Sequence, residues 1–277
     1  MTGNKNGQNI EAYLLEKHAQ GQISQTVCDA ITALCDAAKK IAELAAQNGI
    51  GTASLGALTG AENTDGDEQK ALDVIADERI CTALAPTGIA AYLSEERDEA
   101  VVFAHTKERI VVASDPLDGS SNIDTNLTIG TIFSIYKAEG EGWLMQGRAQ
   151  QAAGFFAYGP QTLLLLTTGQ GVAGFCLDAD GQFIQMDWQP HIPATTSEFA
   201  INAANSRYWP AKTKNYIAQL LAGKEGPRGR NFNMRWNGSL VADAFRIFRR
   251  GGIFLYPQDS RKGYEDGRLR LVYEANP

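Results

Sequence analysis

The chain has 277 residues, of which 44% are hydrophobic and 21% charged, and its formal net charge is −7. This is the composition of a soluble globular protein with room for one sizeable core or two moderate ones. The acidic balance excludes a nucleic-acid face, which needs a basic patch, and no apolar run is long enough to span a bilayer.

Residues 1–9 are polar and Asn/Gly-rich with no apolar signal core, so residues 1–23 are expected to form a flexible arm. Over 24–48, Val27, Ile31, Leu34, Ala38, Ile41 and Ala45 recur at helical spacing, with Ser24 as cap and Asn48-Gly49 as stop. A Gly/Thr/Asp-rich loop over 49–69 is long enough to suggest function. A helix with Leu72, Ile75, Ile80 and Leu84 inward follows and ends at Ala85-Pro86-Thr87-Gly88.

Strands then dominate: 89–93, 101–104, 109–113, 128–136, 143–148, 152–158, 161–168, 172–177 and 182–187. Gly169-Gln170-Gly171-Val172-Ala173-Gly174 has the spacing of a dinucleotide-binding loop, but strand-like Phe175-Cys176-Leu177 follows where a helix should open. A hairpin is expected there, and another at Asp178-Ala179-Asp180-Gly181. Two prolines and lost periodicity after Trp188 mark a domain junction, dividing the chain into 24–190 and 191–277. The second part reads as strand 199–203, helix 211–222, helix 239–249, strand 253–256 and strand 269–273, so layered α/β (α+β) sheets are expected.

The most informative stretch is Asp115-Pro116-Leu117-Asp118-Gly119-Ser120-Ser121-Asn122-Ile123-Asp124, which follows the apolar run Ile110-Val111-Val112-Ala113. Two carboxylates converge on one spot, and a glycine and two serines then offer N–H and hydroxyl groups. Hard oxygens gather divalent cations and free N–H groups gather phosphate. Strand 89–93 runs into Ser94-Glu95-Glu96, and 269–273 runs into Glu274. If these strands lie beside the one leading to Asp115, the acids meet at one sheet edge, where cations would relieve their repulsion. A calcium loop at Asn63-Thr64-Asp65-Gly66-Asp67 is excluded, since Ala61 and Leu72 stand where it requires acids, which leaves Asp65, Asp67, Glu68 and Asp73 to explain. They are either an acid-decorated helix start or further ligands and a base.

His18, His105 and His191 show no ligand spacing. The four cysteines lack paired spacing; Cys28 and Cys35, seven apart in a helical pattern, read as packing thiols, with a cytoplasmic setting as default. Among the basic residues of the second half, Arg235 and Arg268 are best placed to meet a second anionic group on a substrate, and the others read as solvated.

With Gly66-Asp67 through Leu72-Asp73, Gly252-Ile253-Phe254-Leu255-Tyr256-Pro257 and Leu269 through Pro277, these motifs resemble class I fructose-1,6-bisphosphatases from about residue 24 onward. The resemblance implies an αβαβα architecture, a cytoplasmic homotetramer, and a sugar bisphosphate as the partner molecule. It implies hydrolysis of the 1-phosphate of fructose 1,6-bisphosphate. Two or three Mg2+ ions (or Mn2+) would be held by Glu95, Asp115, Asp118, Glu274 and the Leu117 carbonyl, with Asp67 at a third metal. Glu96 and Asp73 would activate water. Asp118, Gly119, Ser120 and Ser121 would hold the 1-phosphate. Asn202, Arg235, Tyr256 and Arg268 would hold the sugar and 6-phosphate, with Arg235 reaching a neighbouring subunit. Sedoheptulose-1,7-bisphosphatase, a dual-substrate enzyme, an inositol phosphatase and an inactive binding fragment are the alternatives.

Departures from the family are informative. Trp236 and Arg268 replace a Tyr and a Lys of the animal enzymes. Gln20-Gly21-Gln22-Ile23 and Ile110 match the AMP site poorly, so AMP control is not expected. The cysteine insertion of chloroplast enzymes is lacking, so thiol control is not expected either. Family members continue past Asn276-Pro277, so a shortened C-terminal part is expected.

Overall fold

The computed structural model describes residues 7–47, 56–62, 68–103 and 108–277. In chain order its elements are α1 (Ile10–Ala19), α2 (Gln25–Ala46), β1 (Leu58–Glu62), β2 (Glu68–Lys70), α3 (Ala71–Leu84), β3 (Ala91–Ser94), β4 (Val101–Val102), β5 (Ile110–Asp118) and β6 (Ile129–Lys137). Then come β7 (Gln150–Tyr158), β8 (Thr162–Thr167), β9 (Ala173–Leu177), β10 (Phe183–Gln185), β11 (Glu198–Ile201), α4 (Ala211–Leu221), β12 (Asn233–Met234), α5 (Leu240–Arg250) and β13 (Ile253–Leu255).

Among the described residues two main sheets and three helical layers alternate. An eight-stranded sheet runs in the order β10-β9-β8-β7-β6-β5-β3-β4, and a three-stranded sheet in the order β12-β11-β13. α1, α2 and α3 cover one face of the large sheet, where Val27, Ile31, Leu34, Leu72, Ile80, Tyr92, Val112, Phe133 and Phe156 form the main core. α5 lies on the other face through Val241, which packs with Ile132, Ala157 and Leu163. α4 covers the small sheet, where Ile217 and Leu220 meet Phe199 and Ile201. The stack is the αβαβα sandwich that the resemblance implies. Burying several such side chains stabilises by about 1.5–3 kcal/mol each.

The predicted long helix is α2, and Ser24 Oγ accepts the Val27 N–H at its start. Gly169 and Gly171, both at positive φ, join the antiparallel strands β8 and β9, so the glycine motif is a hairpin. Asp178 Oδ1 accepts the N–H groups of Asp180 and Gln182, closing the second hairpin. Asn48-Gly49 and much of the 49–69 loop lie outside the described residues, as does His105. The described part of that loop includes the antiparallel pair β1–β2.

Three expectations are corrected. The segment 1–23 is not simply an arm: α1 is capped by Asn9, whose Oδ1 accepts the Ala12 N–H at 2.9 Å, and it buries Ile10, Tyr13 and Leu14. Only three of its ten residues bury an apolar side chain, while Leu15 is exposed, so no clean period stands out. Residues 143–148 form no strand. The Arg109 guanidinium instead binds the carbonyls of Gly140 and Gly142 and lies over the Trp143 ring, and a short 3-10 turn follows at Gly147–Ala149. Residues 269–273 form no strand either; Leu271–Ala275 is a π-helical turn in which the N–H groups of Glu274 and Ala275 bond to the Arg270 carbonyl. That winding brings Arg270 and Glu274 onto one face.

Candidate active site

The acids meet because β3 and β5 are parallel neighbours in matched register. Ser94 lies opposite Ser114, and the ladder continues as the Glu95 N–H bonds to the Ser114 carbonyl at 3.1 Å. Glu95 therefore leaves its strand beside Asp115. Asp115 and Asp118 stand three apart, a spacing that sends side chains to opposite faces of a regular strand. β5 avoids this with an irregularity: Asp115 faces Ile132 and Asp118 faces Gly130, so three steps on β5 match two on β6. Pro116, which has no N–H to give, sits at that bulge. Its carbonyl accepts the Thr131 hydroxyl at 2.8 Å, and Asp115 Oδ1 accepts the Leu117 N–H at 2.9 Å. The bulge turns both carboxylates to one side. One oxygen each of Asp115, Asp118 and Glu274 lie within 4.8 Å of one another.

The second half of the chain closes around this point. Asp118 accepts three hydrogen bonds from the start of α5: Ser239 Oγ at 2.8 Å, Leu240 N at 3.2 Å and Val241 N at 2.9 Å. Gly119 then turns with φ +76°, and a Cβ there would stand 2.7 Å from the Ser239 Cβ. Asn122 donates to the carbonyls of Thr128 and Asn237, tying the following 3-10 turn to the same region. Arg270 pairs with Glu95 at 3.1 Å and with Glu274 at 3.6 Å.

These groups line a cavity of about 390 Å³. It brings together twelve of the residues singled out in the sequence: Asp73, Glu95, Glu96, Asp115, Leu117, Asp118, Gly119, Ser120, Ser121, Tyr256, Arg268 and Glu274. Two stand apart from it. Asn202 Oδ1 accepts the Ala204 N–H as a turn cap, and Arg235 is exposed, with its guanidinium 4.0 Å from Glu198. Asp67 lies outside the described residues.

The reading of most second-half arginines as solvated fails at Arg270, which lines the cavity amid the acids. The spacing of four between Arg270 and Glu274, that of an ion pair on one helical face, is the signal that would have pointed to it. Ser239 and Lys70 were also missed; Lys70 pairs with Asp124 at 2.7 Å at the rim. Trp236 stacks on Phe254 with centroids 5.5 Å apart and meets Tyr256 edge-on, so it forms an aromatic wall.

The electrostatics suit a cation. Burial, then the charges of Glu95, Asp118 and Glu274, hold the Asp115 carboxyl well above its usual range. Burial raises Asp118 against its three donors. Burial pushes Glu274 up to about 7 despite Arg270, and Asp73 up to about 6 despite the Lys70 N–H. Asp73 Oδ1 is buried without a hydrogen-bond partner among the described residues. A set of hard, crowded carboxylate oxygens with raised proton affinity is the donor chemistry that a divalent cation such as Mg2+ takes.

Two adjoining family models cover nearly all of this chain. The fructose-1-6-bisphosphatase N-terminal domain matches residues 9–187 and the corresponding C-terminal domain matches residues 192–277. The chain belongs to the fructose-1-6-bisphosphatase family. It is 49% identical to the class 1 fructose-1,6-bisphosphatase of Azorhizobium caulinodans, over 97% of this chain and 84% of that one. It is 48% identical to that of Rhizobium meliloti, over 98% and 80%. The fold superposes on the holo fructose-1,6-bisphosphatase of Leishmania major with a TM-score of 0.87 at 28% identity, covering 98% of this chain and 84% of that one. The family's fold accounts for the five layers described above.

Proposed function

We propose that this fructose-1-6-bisphosphatase family member hydrolyses the 1-phosphate of fructose 1,6-bisphosphate, giving fructose 6-phosphate and phosphate. The convergence of Asp115, Asp118 and Glu274 within 4.8 Å, in a cavity that also holds Arg268, carries the reading. Glu95, Asp115, Asp118 and Glu274 with the Leu117 carbonyl would hold Mg2+ or Mn2+, and Asp67 would serve a further ion. When bound, such ions lower the pKa of water and stabilise an oxyanion leaving group.

The protein's own groups supply the remainder. Asp73, raised to about 6, suits the role of proton acceptor near neutral pH, and Glu96 shares that role across the cavity. The Gly119-Ser120-Ser121 turn offers N–H and hydroxyl donors to the 1-phosphate. Arg268 and Tyr256 bind the 6-phosphate, and the Trp236 wall carries the sugar's apolar face. Asn202, which caps a turn outside the cavity, would join them only through the neighbouring loop. Arg235, exposed and outside its own chain's cavity, serves a neighbouring subunit in a homotetramer. We assign residues 24–190 to a metal-binding lobe and 191–277 to a sugar-phosphate lobe, in a cytoplasmic enzyme.

The test is phosphate release from fructose 1,6-bisphosphate, sedoheptulose 1,7-bisphosphate and inositol phosphate, with Mg2+ or with EDTA. Asp118→Ala is expected to abolish Mg2+-dependent release. Full turnover by that variant, or none from any substrate by the native chain, would overturn the assignment.

A further inference from the structure

Asp77 is a buried carboxylate that none of the chemistry above uses; its residue is 4% exposed. It stands four residues after Asp73 on α3, so the two share a helix face. Its oxygens reach two different anchors. Oδ1 accepts the Tyr92 hydroxyl at 3.1 Å, and Oδ2 pairs with Arg97 Nε at 2.6 Å.

Both anchors flank the Glu95-Glu96 corner. Tyr92 is fully buried in β3, and its hydroxyl lies against the Ser94 side chain two residues on. Ser94 Oγ accepts the Glu96 N–H at 3.2 Å. Arg97 is the residue directly after Glu96, and its N–H bonds to the Ser94 carbonyl at 3.3 Å. The corner is thus held on its strand side through Tyr92 and Ser94, and on its exit side through Arg97. Both holds end on Asp77. Burial, then the Asp77 charge, keeps the Tyr92 phenol well above its ordinary titration range, so it stays a donor.

We infer that Asp77 is a positioning residue that sets where Glu96, at the end of β3, stands relative to Asp73 on α3. The inference rests on the reading of Asp73 and Glu96 as proton acceptors. A buried ion pair adds little net stability, because desolvation offsets attraction. The consequence of this one is therefore geometric, and misplacement of about 1 Å can cost up to about a hundredfold in rate.

The experiment compares Asp77→Ala, Asp77→Asn and Tyr92→Phe with native protein, measuring kcat and KM for phosphate release at saturating Mg2+. Mn2+ affinity by calorimetry and metal-free thermal unfolding accompany the kinetics. Asp77→Ala is expected to lower kcat about tenfold to a hundredfold, with KM and Mn2+ affinity within about threefold of native. Asp77→Asn, which keeps an acceptor for Tyr92, is expected to recover part of the loss. Tyr92→Phe removes a single hydroxyl and is expected to lower kcat too; it decides the matter if Asp77→Ala does not fold. Native kcat in both Asp77→Ala and Tyr92→Phe, or a fall explained wholly by lost folded protein, would overturn the inference. Asp73→Asn and Glu96→Gln separate the two levels. Native kcat in those variants defeats the proton-acceptor reading itself, whereas a loss there with none at Asp77 defeats the positioning role alone.

Discussion

Replacing Glu274 by Gln is expected to reverse its effect on stability between metal-free and metal-loaded protein. Burial raises the Glu274 carboxyl to about 7 from its ordinary 4.5. Between those values the folded chain keeps a proton that the unfolded chain has released. The unfolded state binds fewer protons, so stability falls as pH rises through this window. The favourable proton-linked contribution is complete below the unfolded value and gone above about pH 7. From about pH 5 to about pH 8 the loss from this one group is about 2.5 kcal/mol. The side chain is 9% exposed, so solvent screening reduces this little. Gln has no proton to lose and escapes the penalty.

Thermal unfolding in EDTA across that pH range is the assay. At about 2–4 °C per kcal/mol, the Tm of Glu274→Gln relative to native should climb about 5–10 °C between the two ends. Saturating Mg2+ at about pH 8 should restore the native protein above the variant, because the penalised carboxylate becomes a ligand. Parallel pH profiles for the two proteins in EDTA would refute the reasoning.

Ser239→Ala removes a donor to buried Asp118 and the cap of α5, and should cost about 1–2 kcal/mol in urea unfolding while weakening Mg2+ activation. Gly119→Ala combines a left-handed backbone with a Cβ clash against Ser239; a loss above about 1 kcal/mol by the same measurement and a lower kcat are expected. Arg268→Ala should raise KM for the bisphosphate about tenfold to a hundredfold, the worth of a charge-assisted hydrogen bond, with kcat changed much less. Steady-state kinetics checks it, and an unchanged KM would remove Arg268 from the substrate.

The acids were legible because they follow apolar runs, and a buried strand that ends in a carboxylate delivers it to a sheet edge. Parallel pairing of β3 and β5 then supplied the meeting that strand-end reasoning anticipated. Glu274 reached the same place by a different route, a helical turn, because its Arg270 partner needed the spacing of four. The bulge at Pro116 was half legible: proline announces an interrupted ladder, though not which way the side chains turn. Asp118 to Ser239 spans 121 residues, and Asp77 to Tyr92 joins a helix to a strand. Neither contact leaves a local period or spacing, so neither could be read in advance. α1 was missed for a related reason, since its packing against the core rather than its own pattern holds it.

The charge balance of the cavity shows why the two halves of the chain must fold together. Six carboxylates, Asp73, Glu95, Glu96, Asp115, Asp118 and Glu274, line it against three cations, Lys70, Arg268 and Arg270. The start of α5, aimed at Asp118, adds the equivalent of about half a positive charge. A deficit of roughly two to three charges remains, which protons can fill at low pH and a divalent cation can fill at neutral pH. Arg268, Arg270 and α5 come from the second half of the chain, whereas five of the six acids come from the first. Without the second half, Asp118 would lose three donors, Glu95 its Arg270 partner and Asp115 the charge of that guanidinium. The acidic turn is thus a local motif whose charge is tolerable only because distant residues are folded onto it.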